Sequence, residues 1–189
     1  MVVNPAPEHE PAPETIRLTG TSFAVLSLLQ VLGPSTPYDL KQALEKSIEN
    51  FWPVPHTTFY AEPARLARGG YLSVHQERGG RRRKLYALTD AGREALEQWV
   101  QAPSVAPPQL RDEGILKVFA GADPLPLLRR RREWHSAKLA ELEGYLEAVG
   151  EEERVRGVRQ SLLVGTNYHR LLLDAIDRVL ADQAATGSS

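Results

Sequence analysis

The residues best able to do chemistry in this chain are cations, and they are concentrated. Between positions 65 and 84 stand Arg65, Arg68, Arg78, Arg81, Arg82, Arg83 and Lys84 against a single acid, Glu77, in a chain whose net charge is −1. A near-neutral protein with one such stretch can present a local phosphate-binding surface; a solvated basic turn is the plainer alternative. A second group precedes it. His56, Thr57, Thr58 and Tyr60, with Arg65 further on, follow Pro53-Val54-Pro55. Side chains of these types on the exposed face of one helix can hydrogen-bond base edges or phosphate. Tyr60 reads equally well as a core tyrosine with its hydroxyl satisfied.

Other chemistries find little support. Cysteine is absent from the 189 residues, which excludes a disulfide framework, a thiol nucleophile and a cysteine zinc site. No phosphate-binding glycine loop, nucleophile elbow or H-E-x-x-H motif occurs. His9, His56, His75, His135 and His169 have no metal-ligand spacing. No catalytic residue, metal or cofactor is therefore assigned. Apolar residues make up 42% and charged residues 25%, the balance of a soluble globular chain, and no apolar run approaches the ~20 residues of a membrane helix. The reading is cytoplasmic, with no membrane partner.

The elements that would position the cations and polar groups can be read from punctuation and period. Residues 1–18, with four prolines, read as a disordered tail. Phe23, Val25, Leu26, Leu28, Leu29 and Leu32 make a first helix that is apolar nearly all round, ended by Gly33-Pro34. Thr36-Pro37-Tyr38-Asp39 is a helix start, with a hydroxyl at the cap, proline at the first position and a carboxylate at the third. A third helix runs from about His56 to Arg68, where Pro63 implies a bend or a later start. Tyr71–His75 and Lys84–Leu88 alternate as strands of a hairpin with a basic tip, and Thr89 caps a fourth helix. Three helices, a hairpin and a closing helix predict a winged helix-turn-helix over residues 19–102, mainly α with a small β-hairpin wing.

At these residues the chain resembles the PadR-type transcriptional regulators. Gly33-Pro34 with Tyr38-Asp39-Leu40, Phe51-Trp52, Thr58-Phe59-Tyr60 with Arg65-Leu66, Gly69-Gly70-Tyr71-Leu72, Arg83-Lys84-Leu85-Tyr86 and Leu88-Thr89-Asp90-Ala91-Gly92 carry the resemblance. One departure stands out: the family commonly places proline directly after the tyrosine of the third helix, where this chain has Ala61, with proline at Pro63. The resemblance implies a cytoplasmic homodimer, often a repressor, bound to double-stranded DNA at a palindromic operator, and some members respond to small aromatic ligands. It sets Tyr38, His56, Thr57, Thr58, Tyr60, Arg65, Arg81, Arg82, Arg83 and Lys84 as the DNA-binding set. A winged-helix protein–protein interaction module that never touches DNA is the alternative.

A linker, residues 103–110, leads to a wholly helical segment, residues 111–183, with a short disordered tail at 184–189. Val158, Leu162, Gly165, His169, Leu172, Ile176 and Val179 recur at steps of three and four, a heptad-like seam. The expectation is a C-terminal all-α dimerisation domain whose last helix pairs protomers through Val158, Leu162, His169, Leu172, Ile176 and Val179. Trp52, Trp99 and Trp134 either pack in cores or line an effector pocket between the two domains.

Overall fold

The computed structural model describes residues 13–49, 51–76, 83–103 and 111–186. The chain divides into two compact units, Met1–Pro103 and Ser104–Ser189. The first contains α1 (Gly20–Leu32), α2 (Pro37–Ser47), α3 (His56–Arg68), β1 (Leu72–Gln76), β2 (Lys84–Leu88) and α4 (Asp90–Gln101).

Each helix of this unit except α3 starts on a hydroxyl. The Thr19 side chain accepts from the backbone of Ser22, Thr36 from Asp39 and Thr89 from Gly92, satisfying amide groups that a helix start leaves without intrahelical partners. Thr36 and Asp39 form a reciprocal capping box, with Pro37 at the first helical position. Apolar residues at helical spacing on α1–α3 then converge: Val25, Leu26, Leu29, Leu40, Leu44, Phe59 and Leu66 are buried, joined by Leu72, Tyr86 and Leu96 from the hairpin and α4.

The strands pair antiparallel, with Val74 opposite Tyr86 and Gln76 opposite Lys84. Tyr86 also exchanges two backbone hydrogen bonds, of 3.0 and 2.9 Å, with Ser35 in the α1–α2 connection. The base of the hairpin is tied to α4. The Thr89 hydroxyl donates to the Gly70 carbonyl at 2.8 Å, and a Cβ on Gly92 would lie 2.2 Å from the Tyr71 carbonyl oxygen. Glycine at 92 is thus a condition of that close approach.

One expectation holds and one is corrected here. α3 runs from His56 to Arg68 as its spacing predicts, and of the two alternatives for Pro63 the later start falls away, since Pro63 lies inside the helix and is fully buried. Its ring costs the hydrogen bond to the Phe59 carbonyl, and the burial of Phe59, Pro63 and Leu66 offsets that loss. Nor is the whole of 1–18 a loose tail. Ile16 and Leu18 pack against the core, and the Glu14 amide donates to the Arg68 carbonyl at 2.9 Å. Two apolar side chains in an otherwise polar, proline-rich stretch were enough to dock it. Residues 1–12, the 104–110 part of the linker and residues 187–189 lie outside the described residues.

The second unit contains α5 (Glu113–Phe119), α6 (Pro124–Ala148), a 3-10 turn (Glu153–Val155) and α7 (Arg156–Thr186). α6 and α7 pack along their length, with Leu142 facing the gap at Gly165. Three of the six expected dimer-seam residues are thereby covered inside the protomer. Leu162, His169 and Ile176 are buried within one protomer, Val158 and Leu172 are half-buried, and Val179 is exposed. The heptad period marks the α7 face that meets α6 of the same chain. A different α7 face is apolar and exposed: Val164, Tyr168 and Leu171, with Ile115, Leu116 and the 88%-exposed Phe119 of α5.

Candidate nucleic-acid interface and a cleft in the second unit

α3 buries Phe59, Glu62, Pro63 and Leu66 and turns the opposite side outward. At 100° per residue, Tyr60 lies across the helix axis from Glu62. His56, Thr57, Thr58 and Tyr60 are all exposed, and the His56 and Tyr60 rings sit 5.9 Å apart. Tyr60 is 40% exposed, so it is not a core tyrosine. His56 also comes within 4.0 Å of Glu45 on α2. Tyr38 stands exposed on α2, its hydroxyl accepting from Gln42 at 2.9 Å. α3 alone among the helices of this unit starts without a side-chain cap, Pro55 occupying the cap position. Its first amide groups are therefore open to an acceptor such as phosphate.

Arg83 and Lys84 are exposed at the start of β2. Arg81 and Arg82 lie outside the described residues. Arg65 differs from the expectation: four of its hydrogen bonds point inward, to Glu62, Ser22 and the Arg17 carbonyl, and not to the outer face of α3. The guanidinium carries five N–H groups, so the outer face receives little of it. What sequence reasoning missed was its partner. Glu62 held a clue, being an acid three residues before Arg65 and so one turn away. Ser22, in α1, gave none.

The three tryptophans are divided between the two units. Trp52 covers Gly20, and Trp99 stacks on Phe23 with ring centroids 4.5 Å apart, both in the first unit. Trp134, in the second, lines a cleft of about 630 Å³ with Ile115, Arg130, His135, Tyr168 and Leu172. The volume lies within the range of small-molecule sites. One of its lining residues, His135, belongs to a pair that the sequence did not reveal. His135 Nδ1 and His169 Nδ1 are 2.8 Å apart and both rings are buried, so one nitrogen donates and the other accepts. Arg131 is tied to Asp112, whereas Arg130 has no acidic partner among the described residues.

Burial holds both histidines below the ordinary imidazole range, with Arg131 adding to the effect on His135, and His135 and Lys138 to that on His169. In the unfolded chain both would titrate at about 6.5. Below that pH the unfolded state takes up protons that the folded state resists, so stability present at neutral pH is lost on acidification through the lowered folded values. Melting curves of the intact protein between about pH 7.5 and 5 are expected to show the second unit weakening. His135→Gln plus His169→Gln should flatten that dependence.

Three helices, a hairpin following the third and a closing helix make the first unit a winged helix-turn-helix, the second and third helices forming the DNA-reading pair of such domains. Residues 25–98 match the PadR-like family of transcriptional regulators. That match falls within the first unit, and the family it names is one of transcriptional regulators. It is similar to the negative transcriptional regulator PadR of Bacillus subtilis, 26% identical over 67% of this chain and 73% of that protein. Its fold resembles that of Bacillus subtilis PadR in complex with operator DNA, with a TM-score of 0.73 at 23% identity over 85% of this chain and 96% of that one. A PadR-like regulator from Bacillus cereus gives a TM-score of 0.71 at 22% identity, covering 87% and 99%. The Bacillus subtilis protein in complex with p-coumaric acid gives 0.68 at 22% identity, covering 85% and 96%. No helix among the described residues is long and apolar enough to cross a membrane.

Proposed function

We propose that the protein is a homodimeric, cytoplasmic repressor that binds a palindromic operator and leaves it when a small aromatic acid binds. The observation that carries the reading is the pairing of exposed α3 side chains, Thr57, Thr58 and Tyr60, with a hairpin whose second strand begins on exposed cations. α3 is long enough to lie in a major groove, and a hairpin can reach the flanking phosphates. The operator complex of the Bacillus subtilis protein supports this use of the fold.

Selection of duplexes from a random library at two salt concentrations tests it. A palindromic preference supports the reading. Binding without preference, or none, favours the protein–protein module. Removing both cations with Arg83→Ala plus Lys84→Ala should weaken preferred and unrelated duplexes alike and reduce the salt slope by about two units, one per phosphate contact.

Dimerisation is assigned to the exposed apolar residues of the second unit, since Val164, Tyr168 and Leu171 repeat at steps of four and three on a face that α6 leaves open. A self-complementary patch of this kind suits a two-fold pair. Leu171→Glu is expected to give a folded monomer by light scattering. The effector is assigned to the Trp134 cleft, where apolar and aromatic walls and the Arg130 guanidinium fit a ring bearing a carboxylate. The p-coumaric acid complex of the Bacillus subtilis protein supports that class of ligand. Titration with p-coumaric acid should quench fluorescence and release DNA together, and Trp134→Phe should remove most of the quench.

A further inference from the structure

We infer that Ser22, on α1, is a specificity-setting residue for DNA reading, acting through Glu62 and Arg65 to fix the rotation of α3. This rests on the reading of α3 as the groove helix. Ser22 is fully buried and its hydroxyl has no spare capacity. It donates to Glu62 Oε1 at 2.6 Å, accepts from Arg65 Nη2 at 2.9 Å and accepts from the Thr19 amide at 2.8 Å, with the Thr19 hydroxyl a longer contact at 3.2 Å. One donor and two lone pairs are all that a serine hydroxyl offers. Glu62 is in turn held by Arg65, through Nη2 on Oε1 at 2.6 Å and Nε on Oε2 at 2.9 Å. Arg65 Nη1 reaches the Arg17 carbonyl at 3.0 Å.

The network sits where α3 most needs an external hold. Pro63 lies between Glu62 and Arg65 and deprives the Phe59 carbonyl of its intrahelical partner, so the middle of α3 is less self-supporting than an ordinary helix. Apolar contacts around Phe59 and Leu66 press α3 onto the core but are non-directional and tolerate rolling. Hydrogen bonds are directional. Those from Glu62 and Arg65 to Ser22 and to the Arg17 carbonyl fix the angle of the helix about its own axis. Tyr60 lies on the opposite side of that axis. With an outer radius of about 5–6 Å, a roll of 10° moves an outward side chain by about 1 Å. That displacement spoils a base-edge hydrogen bond while leaving diffuse attraction to phosphate intact.

The test uses the full chain, a duplex selected by the wild type from a random library, and an unrelated duplex of equal length, at two salt concentrations with thermal melts alongside. Ser22→Ala removes the hydroxyl from a residue that is buried and on α1, so it cannot act by losing a contact to DNA. The expected result is a folded protein with wild-type affinity and salt slope on the unrelated duplex. Its preference for the selected duplex should fall about three- to tenfold, the loss of roughly one hydrogen bond's worth of discrimination. A second variant, Glu62→Met plus Arg65→Met, fills the same space without directional bonds and guards against failure of the first to fold. It should lose preference at least as far, again with the salt slope unchanged.

Preference within twofold of wild type in either folded variant overturns the inference. So does a salt slope that drops by about one unit in the double variant, which would make Arg65 a phosphate contact. Failure of both variants to fold overturns it as well, leaving the network a stability element only. A wild type that selects no sequence removes the DNA-reading assignment itself, an outcome separate from all of these.

Discussion

Ile176→Glu is expected to unfold the second unit, not to release a folded monomer. Ile176 is 7% exposed in a single protomer, on the α7 face packed against α6. Arg132 of α6 is already paired with Asp177 at 2.6 Å and Arg131 with Asp112, which leaves Arg130, on the cleft that Ile176 also lines, as the nearby cation without an acidic partner among the described residues. Losing the buried isoleucine and desolvating a carboxylate in an apolar helix contact together cost about 3–5 kcal/mol, comparable to the whole stability of a small domain. Circular dichroism should show loss of helix, and the melt of the second unit should vanish. A well-folded monomer from this variant would mean that Ile176 faces a partner chain after all, and that the α6–α7 packing is different. Contrast with Leu171→Glu, on an exposed face, makes the pair of variants decisive.

Phe59→Ala is the counterpart in the first unit. Phe59 is fully buried at the centre of its core, between Pro63 and Leu66 on its own helix and the residues of α1 and α2. Removing the ring should cost about 3–5 kcal/mol, because the surrounding helices can close only part of the cavity. The expected result is a first unit that melts at or below ordinary growth temperature, with DNA binding lost in proportion to the unfolded fraction. Chemical denaturation followed through Trp52 and Trp99, both in this unit, reports it. A midpoint near wild type would show that the core around α3 repacks freely.

The first unit was largely legible in the sequence because its signals are local. Thr36 with Pro37 and Asp39, the Gly33 stop, the Gly69-Gly70 turn, the strand Lys84–Leu88 and the Thr89 cap are each readable from a few adjacent residues. The misplacements share a different cause: they depend on what lies across from a residue. The spacing of Leu162, His169 and Ile176 shows which α7 face is buried, but period alone does not distinguish α6 of the same chain from another copy. Arg65 has the side chain of a phosphate ligand, yet Ser22 and the Arg17 carbonyl, more than 40 residues earlier, occupy it. Ile16 and Leu18 were overlooked because composition averaged them with their prolines. The His135–His169 contact joins residues 34 apart, through a helix turnaround that no pattern in either helix announces.

The backbone bonds between Ser35 and Tyr86 bear on how the protein behaves in concentrated solution. A two-stranded ribbon ordinarily exposes two edges, each a template onto which a foreign strand can be added. Here the α1–α2 connection occupies β2 at Tyr86, while β1 lies along its other side. The open edge left is that of β1, five residues long and interrupted by Ser73, His75 and Gln76. Short polar edges make poor seeds for cross-β growth. Replacing Ser35 by proline would remove the amide that donates to Tyr86 and uncover the apolar strand Lys84–Leu88, turning a quiet ribbon into a site for strand-by-strand aggregation.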